Sequence, residues 1–267
     1  MNELRLAVLI DADNAPRKSI KEIMEEIAVH GTPTVKRIYG DWTKPNMDSW
    51  KSALLDNAIT PIQQYCYTTG KNSTDSAMII DAMDVLYSGN VDGFCLVSSD
   101  SDFTRLAVRL REAGMKVFGM GEKKTPNPFI VACDRFIYIE VINERYKPRP
   151  QAKKSKKSDT VKESSAPAKE TVPTPEPTDF LRNEKKVPRN ILDLIAVAID
   201  DVCDDDGWAY LGEVGGLLQK KQPDFDARNF GFKKLTLLTE ACDCFEMDSR
   251  DNLQKGNGKL IYIRNKK

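Results

Sequence analysis

Gly93-Phe94-Cys95-Leu96-Val97-Ser98-Ser99-Asp100-Ser101-Asp102-Phe103 decides the fold. Its first five residues form a short apolar run, which reads as a buried strand. Phe103, Leu106, Ala107 and Leu110 then repeat at helical spacing. Two carboxylates, Asp100 and Asp102, therefore sit on the turn between a strand and a helix. In open α/β sheets that turn lies at the carboxyl end, where ligands bind. A second turn of the same kind lies near the N-terminus, where Leu6-Ala7-Val8-Leu9-Ile10 runs into Asp11-Ala12-Asp13-Asn14. Two apolar strands that each end in Asp-x-Asp are hard to explain by stability alone.

Working outward, strands alternate with helices. Residues 4–10 read as a strand, and Pro16 opens a helix whose Ile20, Ile23, Met24 and Ile27 share one face, with Gly31 after its end. Val35–Tyr39 is a second strand, Asp48–Asn57 a helix and Ile59–Tyr65 a third strand. Ser73 or Thr74 can cap a helix over Asp75–Tyr87, apolar nearly all round and so expected to be buried. After the helix ending near Ala113 come a strand at Lys116–Met120, a short helix opened by Asn127-Pro128 and a last strand at Phe136–Ile139. The alternation implies α/β architecture: a Rossmann-like, mostly parallel sheet with helices on both faces.

From Lys147 to Val187 proline is frequent and aromatics nearly vanish. Such a segment buries too little apolar surface to offset its ordering entropy and is expected to be a disordered linker. Order resumes near 190, where three helical stripes precede strands at Cys244–Met247 and Leu260–Ile263. That pattern predicts a small winged helix-turn-helix. The expected division is 1–146, a linker over 147–187, and 188–267.

The 267 residues carry 40 basic and 40 acidic side chains. The balance is local, with 16 basic and 20 acidic groups in 1–144 but 12 and 6 in 145–187. Arg145–Lys157 has seven basic residues and no acid, which suits a polyanionic partner. No apolar run is long enough for a membrane span and no signal peptide is visible, so a cytoplasmic location is expected. The six cysteines form no C-x-x-C pattern and read as free thiols. The single histidine, His30, excludes two-histidine acid–base catalysis, a Ser-His-Asp triad within this chain other than through His30, and histidine-rich zinc sites. Its place near a helix end is explained by the helix dipole.

A hard divalent ion such as Mg²⁺ or Mn²⁺ takes oxygen ligands, and a few carboxylates from different strand ends meet that need without histidine. The candidates are Asp11, Asp75, Asp100 and Asp102, with Asp13, Asn14 and Ser99 beside them. Helix capping accounts for any one of these residues. It accounts less well for the set, because a cap needs one residue per helix. Asp81 lies six residues from Asp75, about 240° around a helix, and so reads as a supporting or buried hydrogen-bonding group.

These stretches resemble a known family. Leu9-Ile10-Asp11-Ala12-Asp13-Asn14, Lys71 with Thr74-Asp75-Ser76-Ala77, Val97 through Phe103, and Ala132-Cys133-Asp134-Arg135-Phe136 are similar to the NYN domain of the PIN-like nuclease superfamily, in its LabA-like branch. Ser73-Thr74 stand where that family carries Gly-Val. The resemblance covers residues 4–140 and implies a ribonuclease dependent on Mg²⁺ or Mn²⁺, with Asp11, Asp75, Asp100 and Asp102 as catalytic metal ligands. Residues 188–265 resemble an OST-HTH (LOTUS) domain through Asp206-Gly207-Trp208, Pro223-Asp224-Phe225-Asp226 and Phe230-Gly231-Phe232-Lys233-Lys234-Leu235. That resemblance implies RNA binding.

The expected function is hydrolysis of RNA by the N-terminal part, leaving a 5′-phosphate, with selection of RNA by the C-terminal part. Lys71, Arg105, Lys153, Lys154, Lys156, Lys157, Lys233 and Lys234 are the expected RNA contacts, and a protein partner for the C-terminal part stays open. Two rivals remain at this point. One is a phosphatase of the haloacid-dehalogenase type with Asp11 as nucleophile and Asp13 as acid. The other is a non-catalytic RNA- or partner-binding regulator on the same fold.

Overall fold

The structure, a computed structural model, describes residues 3–65, 73–146, 187–251 and 259–266. The N-terminal unit contains, in chain order, β1 (Arg5–Asp11), α1 (Ile20–His30), β2 (Thr32–Gly40), α2 (Lys51–Asn57), β3 (Thr60–Gln63), α3 (Ser73–Tyr87), β4 (Gly93–Val97), α4 (Thr104–Glu112), β5 (Lys116–Gly121), α5 (Asn127–Ala132), β6 (Arg135–Tyr138) and α6 (Ile139–Arg145). The six strands form one parallel sheet in the order β3-β2-β1-β4-β5-β6. The chain winds outward from β1 to β3, then returns to place β4 against the other side of β1. The β1–β4 seam is therefore the topological switch point, and both acidic turns lie at its carboxyl end.

The sheet is apolar on both faces because helices cover both. Ala7, Leu9, Phe94 and Leu96 pack with Met78, Ala82, Phe103 and Leu110 on one face. Leu6, Val8, Ile10, Cys95 and Val97 pack with Ile20, Ile23, Ile27 and Ile142 on the other. Leu6 to Ile10 of β1 all follow this pattern, and of its seven residues only Arg5 is exposed.

Several local expectations are corrected. The segment read as a helix from Asp48 begins with a 3-10 turn at Pro45–Trp50. Only Thr60–Gln63 pair as β3, fewer residues than expected. α3 is not buried all round: Ile80 and Tyr87 are 64% and 73% exposed, because the helix meets the sheet along one side. Ile139 is not strand but the start of α6, which the sequence reading lacked. Gly31 closes α1 with an extended φ of 165° rather than a left-handed one. Its need for glycine is close approach, since a Cβ there would lie 2.4 Å from the Leu4 carbonyl oxygen.

The C-terminal unit contains α7 (Arg189–Asp200), β7 (Ala209–Tyr210), α8 (Leu211–Lys221), α9 (Leu235–Glu240), β8 (Phe245–Asp251) and β9 (Lys259–Asn265). Its three strands form an antiparallel sheet in the order β7-β9-β8 around a core of Ile195, Ile199, Val214, Leu218, Leu238 and Ile263. This is the expected helical unit with a wing, plus the two-residue β7. Nearly all of the 147–187 stretch lies outside the described residues.

The two units also touch each other directly. The Phe136 N–H on the sheet-edge strand β6 donates to the Pro223 carbonyl at 2.9 Å. Tyr138 Oη donates to Asp224 Oδ2 at 2.8 Å, and Arg135 approaches Asp226 at 3.5 Å. Arg228 Nη2 reaches Glu26 Oε1 at 2.8 Å, and Arg145 Nη1 reaches Glu26 Oε2 at 2.7 Å. An edge strand presents unpaired backbone groups, and here a loop of the second unit satisfies one of them.

Candidate metal and nucleic-acid site

Asp11 ends β1 and is 1% exposed. Its Oδ1 accepts the Asp13 and Asn14 backbone N–H groups at 3.0 and 3.3 Å. Its Oδ2 accepts Asn14 Nδ2 and Ser98 Oγ, both at 2.8 Å. Four donors thus hold this one carboxylate, and the Asp13–Asn14 turn folds around it instead of capping α1. Burial nevertheless pushes the Asp11 carboxyl above its usual range, against the hydrogen bonds from Asn14, Ser98 and Asp13.

The second turn is built on Ser98. Its N–H donates to the Met120 carbonyl, and its Oγ accepts the Asp100 N–H at 3.0 Å. Asp100 Oδ1 in turn accepts the Asp102 N–H at 2.9 Å, a cap for the 3-10 turn Ser101–Phe103 that leads into α4. Gly121 lets β5 pass close by, because a Cβ there would lie 2.6 Å from the Ser98 carbonyl oxygen.

Asp75, in the first turn of α3, completes the group. Carboxylate oxygens of Asp75, Asp100 and Asp102 lie within 4.8 Å of one another. Asp75 and Asp100 are half-buried and Asp102 is exposed. Burial, then the charges of Asp11, Asp100, Asp102 and Asp13, pushes the Asp75 carboxyl up to about 6. Oxygen-only donors at this spacing, with mutual repulsion, form a site that a hard divalent cation fits.

The other sequence candidates separate. Asp11 stands outside the three-carboxylate group and acts on it through charge. Asp13 is exposed and adds charge, while Asn14 is held by Asp11. Ser99 Oγ accepts the Glu122 N–H at 2.9 Å and serves the loop after β5. Asp81 faces β2, where Arg37 and Tyr39 donate to it, so it is a half-buried hydrogen-bonding group. Arg105 is exposed on α4, three residues past Asp102; Lys233 and Lys234 are exposed just before α9. Lys71, Lys153, Lys154, Lys156 and Lys157 lie outside the described residues. Ser98, which joins Asp11 to the Asp100 turn, was left unassigned by sequence reasoning. Its signal was its place between a buried strand and the acidic turn.

A family model for the NYN domain matches residues 5–140. The chain belongs to the NYN family. A model for the OST-HTH/LOTUS domain matches residues 179–255, giving the expected order of domains. NYN domains are part of the PIN-like nuclease superfamily, whose members generally use divalent metal ions, and OST-HTH domains are RNA-binding modules. An uncharacterized protein of Methanocaldococcus jannaschii is 26% identical over 123 residues, 45% of this chain and 48% of that protein. The chain thus spans about half the length of the curated relative it matches. A crystal structure of a Vibrio parahaemolyticus protein of unknown function is similar at 20% identity, covering 51% of this chain and 93% of that one with a TM-score of 0.43. A solution structure of an uncharacterized Nitrosomonas europaea protein is 33% identical, covering 37% of this chain and 92% of that one with a TM-score of 0.29. Among the described residues no helix is long and apolar enough to cross a membrane.

Proposed function

We propose that this NYN protein is a ribonuclease that uses Mg²⁺ or Mn²⁺ held by Asp75, Asp100 and Asp102. The observation that carries the reading is the convergence of these three carboxylates at the β1–β4 switch point. When bound, the cation supplies Lewis acidity at the scissile phosphate and a water of lowered pKa. The chain's own work is placement. Ser98 fixes the Asp100 backbone and the Asp11 carboxylate together, so the two strand ends keep one spacing. Asp11 adds buried negative charge behind the group; without a cation that charge favours the protonated form of Asp75, and it equally attracts a divalent cation to the site. The solvent-facing Asp102 leaves one side of the cluster open to substrate.

The phosphatase alternative needs Asp11 as a nucleophile. Both Asp11 oxygens already accept hydrogen bonds from backbone and side-chain donors, which weighs against attack from that carboxylate. The OST-HTH domain selects the RNA in this reading, with Lys233 and Lys234 as phosphate contacts, and the basic segment around Lys153–Lys157 adds attraction without specificity. Titration calorimetry with Mn²⁺ tests the site. Wild type should bind, and Asp100→Asn should lose most of the heat. Equal binding by both proteins would remove Asp100 from the site.

A further inference from the structure

Five carboxylates gather at the acidic site, and a phosphodiester must still approach them. Counter-charge is needed nearby, and the turn after β1 leads directly to it. Three residues past Asn14 the chain enters Arg17-Lys18-Ser19, one 3-10 turn, and then α1. Arg17, Lys18 and Lys21 line a groove of about 430 Å³ between this turn and α2, whose wall carries Ser52, Asp56 and Asn57.

The groove has the chemistry of a phosphate track. Arg17, Lys18 and Lys21 are all exposed. Among the described residues none of the three pairs with a carboxylate, although thirteen ion pairs are formed elsewhere. Asp56 is the sole acid on the wall, so three cations face one anion. Arg17 is held in place, since its Nη1 donates to the Ser49 carbonyl at 2.6 Å. Lys18 and Lys21 are about one helical turn apart, near 5 Å of rise. Lys18 is four positions past Asn14, at most about 14 Å of chain, a span that a short single strand covers. Ser52 and Asn57 add hydrogen-bonding groups beside the cations.

We infer that this groove binds the sugar–phosphate backbone of single-stranded RNA and feeds it to the acidic site, an inference that rests on the ribonuclease reading. The contacts are charge-assisted and independent of base identity, so the groove supplies affinity and direction rather than sequence choice.

The test uses the full chain, a fluorescent oligouridine and EDTA, which blocks turnover. Affinity is measured against salt for wild type, for Lys18→Gln with Lys21→Gln, and for a charge-matched control, Arg109→Gln with Lys116→Gln, away from the groove. Each lost phosphate contact on a single strand lowers the slope of log K against log salt by about 0.7. The groove variant should therefore be shallower by about 1.4, and the control should match wild type. With Mn²⁺ present, the groove variant should raise KM and leave kcat unchanged, because the contact is common to ground and transition states. Thermal melts check that both variants fold. An unchanged slope in the groove variant, or an equal change in the control, overturns the inference even if wild type cleaves RNA. Failure of wild type to bind RNA at any salt overturns both the groove and the ribonuclease reading. Normal binding without cleavage by wild type overturns the ribonuclease reading alone.

Discussion

Ser98 Oγ donates a 2.8 Å hydrogen bond to Asp11 Oδ2, tying the ends of β4 and β1 together beneath the acidic cluster. Both residues are 1% exposed, so the bond has no solvent to replace it. Ser98→Ala should leave a buried acceptor short of a donor and cost about 1–3 kcal/mol. It should also loosen the Asp100 turn, whose N–H uses the same hydroxyl. Denaturant unfolding measures the first effect. A loss below about 0.5 kcal/mol would show that the bond does not hold the seam.

Burial of Asp75, together with charge repulsion at the cluster, predicts a pH dependence in metal-free protein. The Asp75 carboxyl is raised from 3.8 to about 6 in the folded chain. The folded state therefore holds its proton more tightly than the unfolded state, and this group's contribution to stability is full at low pH and falls as pH rises through that window. In EDTA the melting temperature should decline from pH 4 toward pH 7 less steeply in Asp75→Asn than in wild type. Asp100→Asn should raise the melting temperature at pH 7 in EDTA by removing one of the repelling charges. Identical pH profiles for wild type and Asp75→Asn would mean that neither burial nor the neighbouring charges raise the Asp75 carboxyl.

The contact between the units makes a separate prediction. Burial alone would push the Glu26 carboxyl up, but His30, Arg228 and Arg145 outweigh it and hold it well below the usual carboxylate range. Its contribution to stability is therefore present above about pH 4.5 and lost as pH falls below that value. Arg228→Ala removes the bidentate partner and leaves Arg145, which should cost about 1–3 kcal/mol of coupling. Calorimetry should show one transition in wild type separating into two in the variant. Two transitions already present in wild type would mean the units are not coupled.

The site was more legible than its surroundings, for physical reasons. Asp100 and Asp102 sit on a strand–turn–helix whose periodicities are local, so the stretch from Gly93 to Leu110 announces them. Placing the acidic turns at the carboxyl end of the sheet needed only the alternation of strands and helices, whereas the strand order that makes β1–β4 the switch point does not follow from that alternation. Asp81 was opaque because its partners, Arg37 and Tyr39, lie 44 and 42 residues away in sequence. α6 was missed because no breaker separates Tyr138 from Ile139. The two-residue β7 is too short to carry a period. The docking of Pro223–Arg228 on β6 and α1 depends on long-range hydrogen bonds and ion pairs that no window of sequence contains.

The Arg250–Trp208–Arg264 arrangement is a further tertiary feature with a measurable consequence. Arg264 lies 4.6 Å from the Trp208 ring and Arg250 lies 4.2 Å from the Tyr262 ring, on the outer face of the β7-β9-β8 sheet. Trp208→Ala should destabilise the C-terminal unit through loss of this stacking, by about 1–2 kcal/mol beyond the area it buries. Trp208→Phe should recover part of that loss. Equal stabilities for Trp208→Ala and wild type would reduce the stack to a surface contact.

The central claim is that Asp75, Asp100 and Asp102 form a metal-dependent phosphodiesterase site, and cleavage of 5′-labelled RNA under single-turnover conditions tests it most directly. Wild type should cut with Mn²⁺ or Mg²⁺ and stop in EDTA. Asp75→Asn, Asp100→Asn and Asp102→Asn should each lose at least about a hundredfold in rate, near 3 kcal/mol of transition-state stabilisation, while remaining folded. Wild-type rates in these variants, or wild-type cleavage that persists in EDTA, would contradict the account.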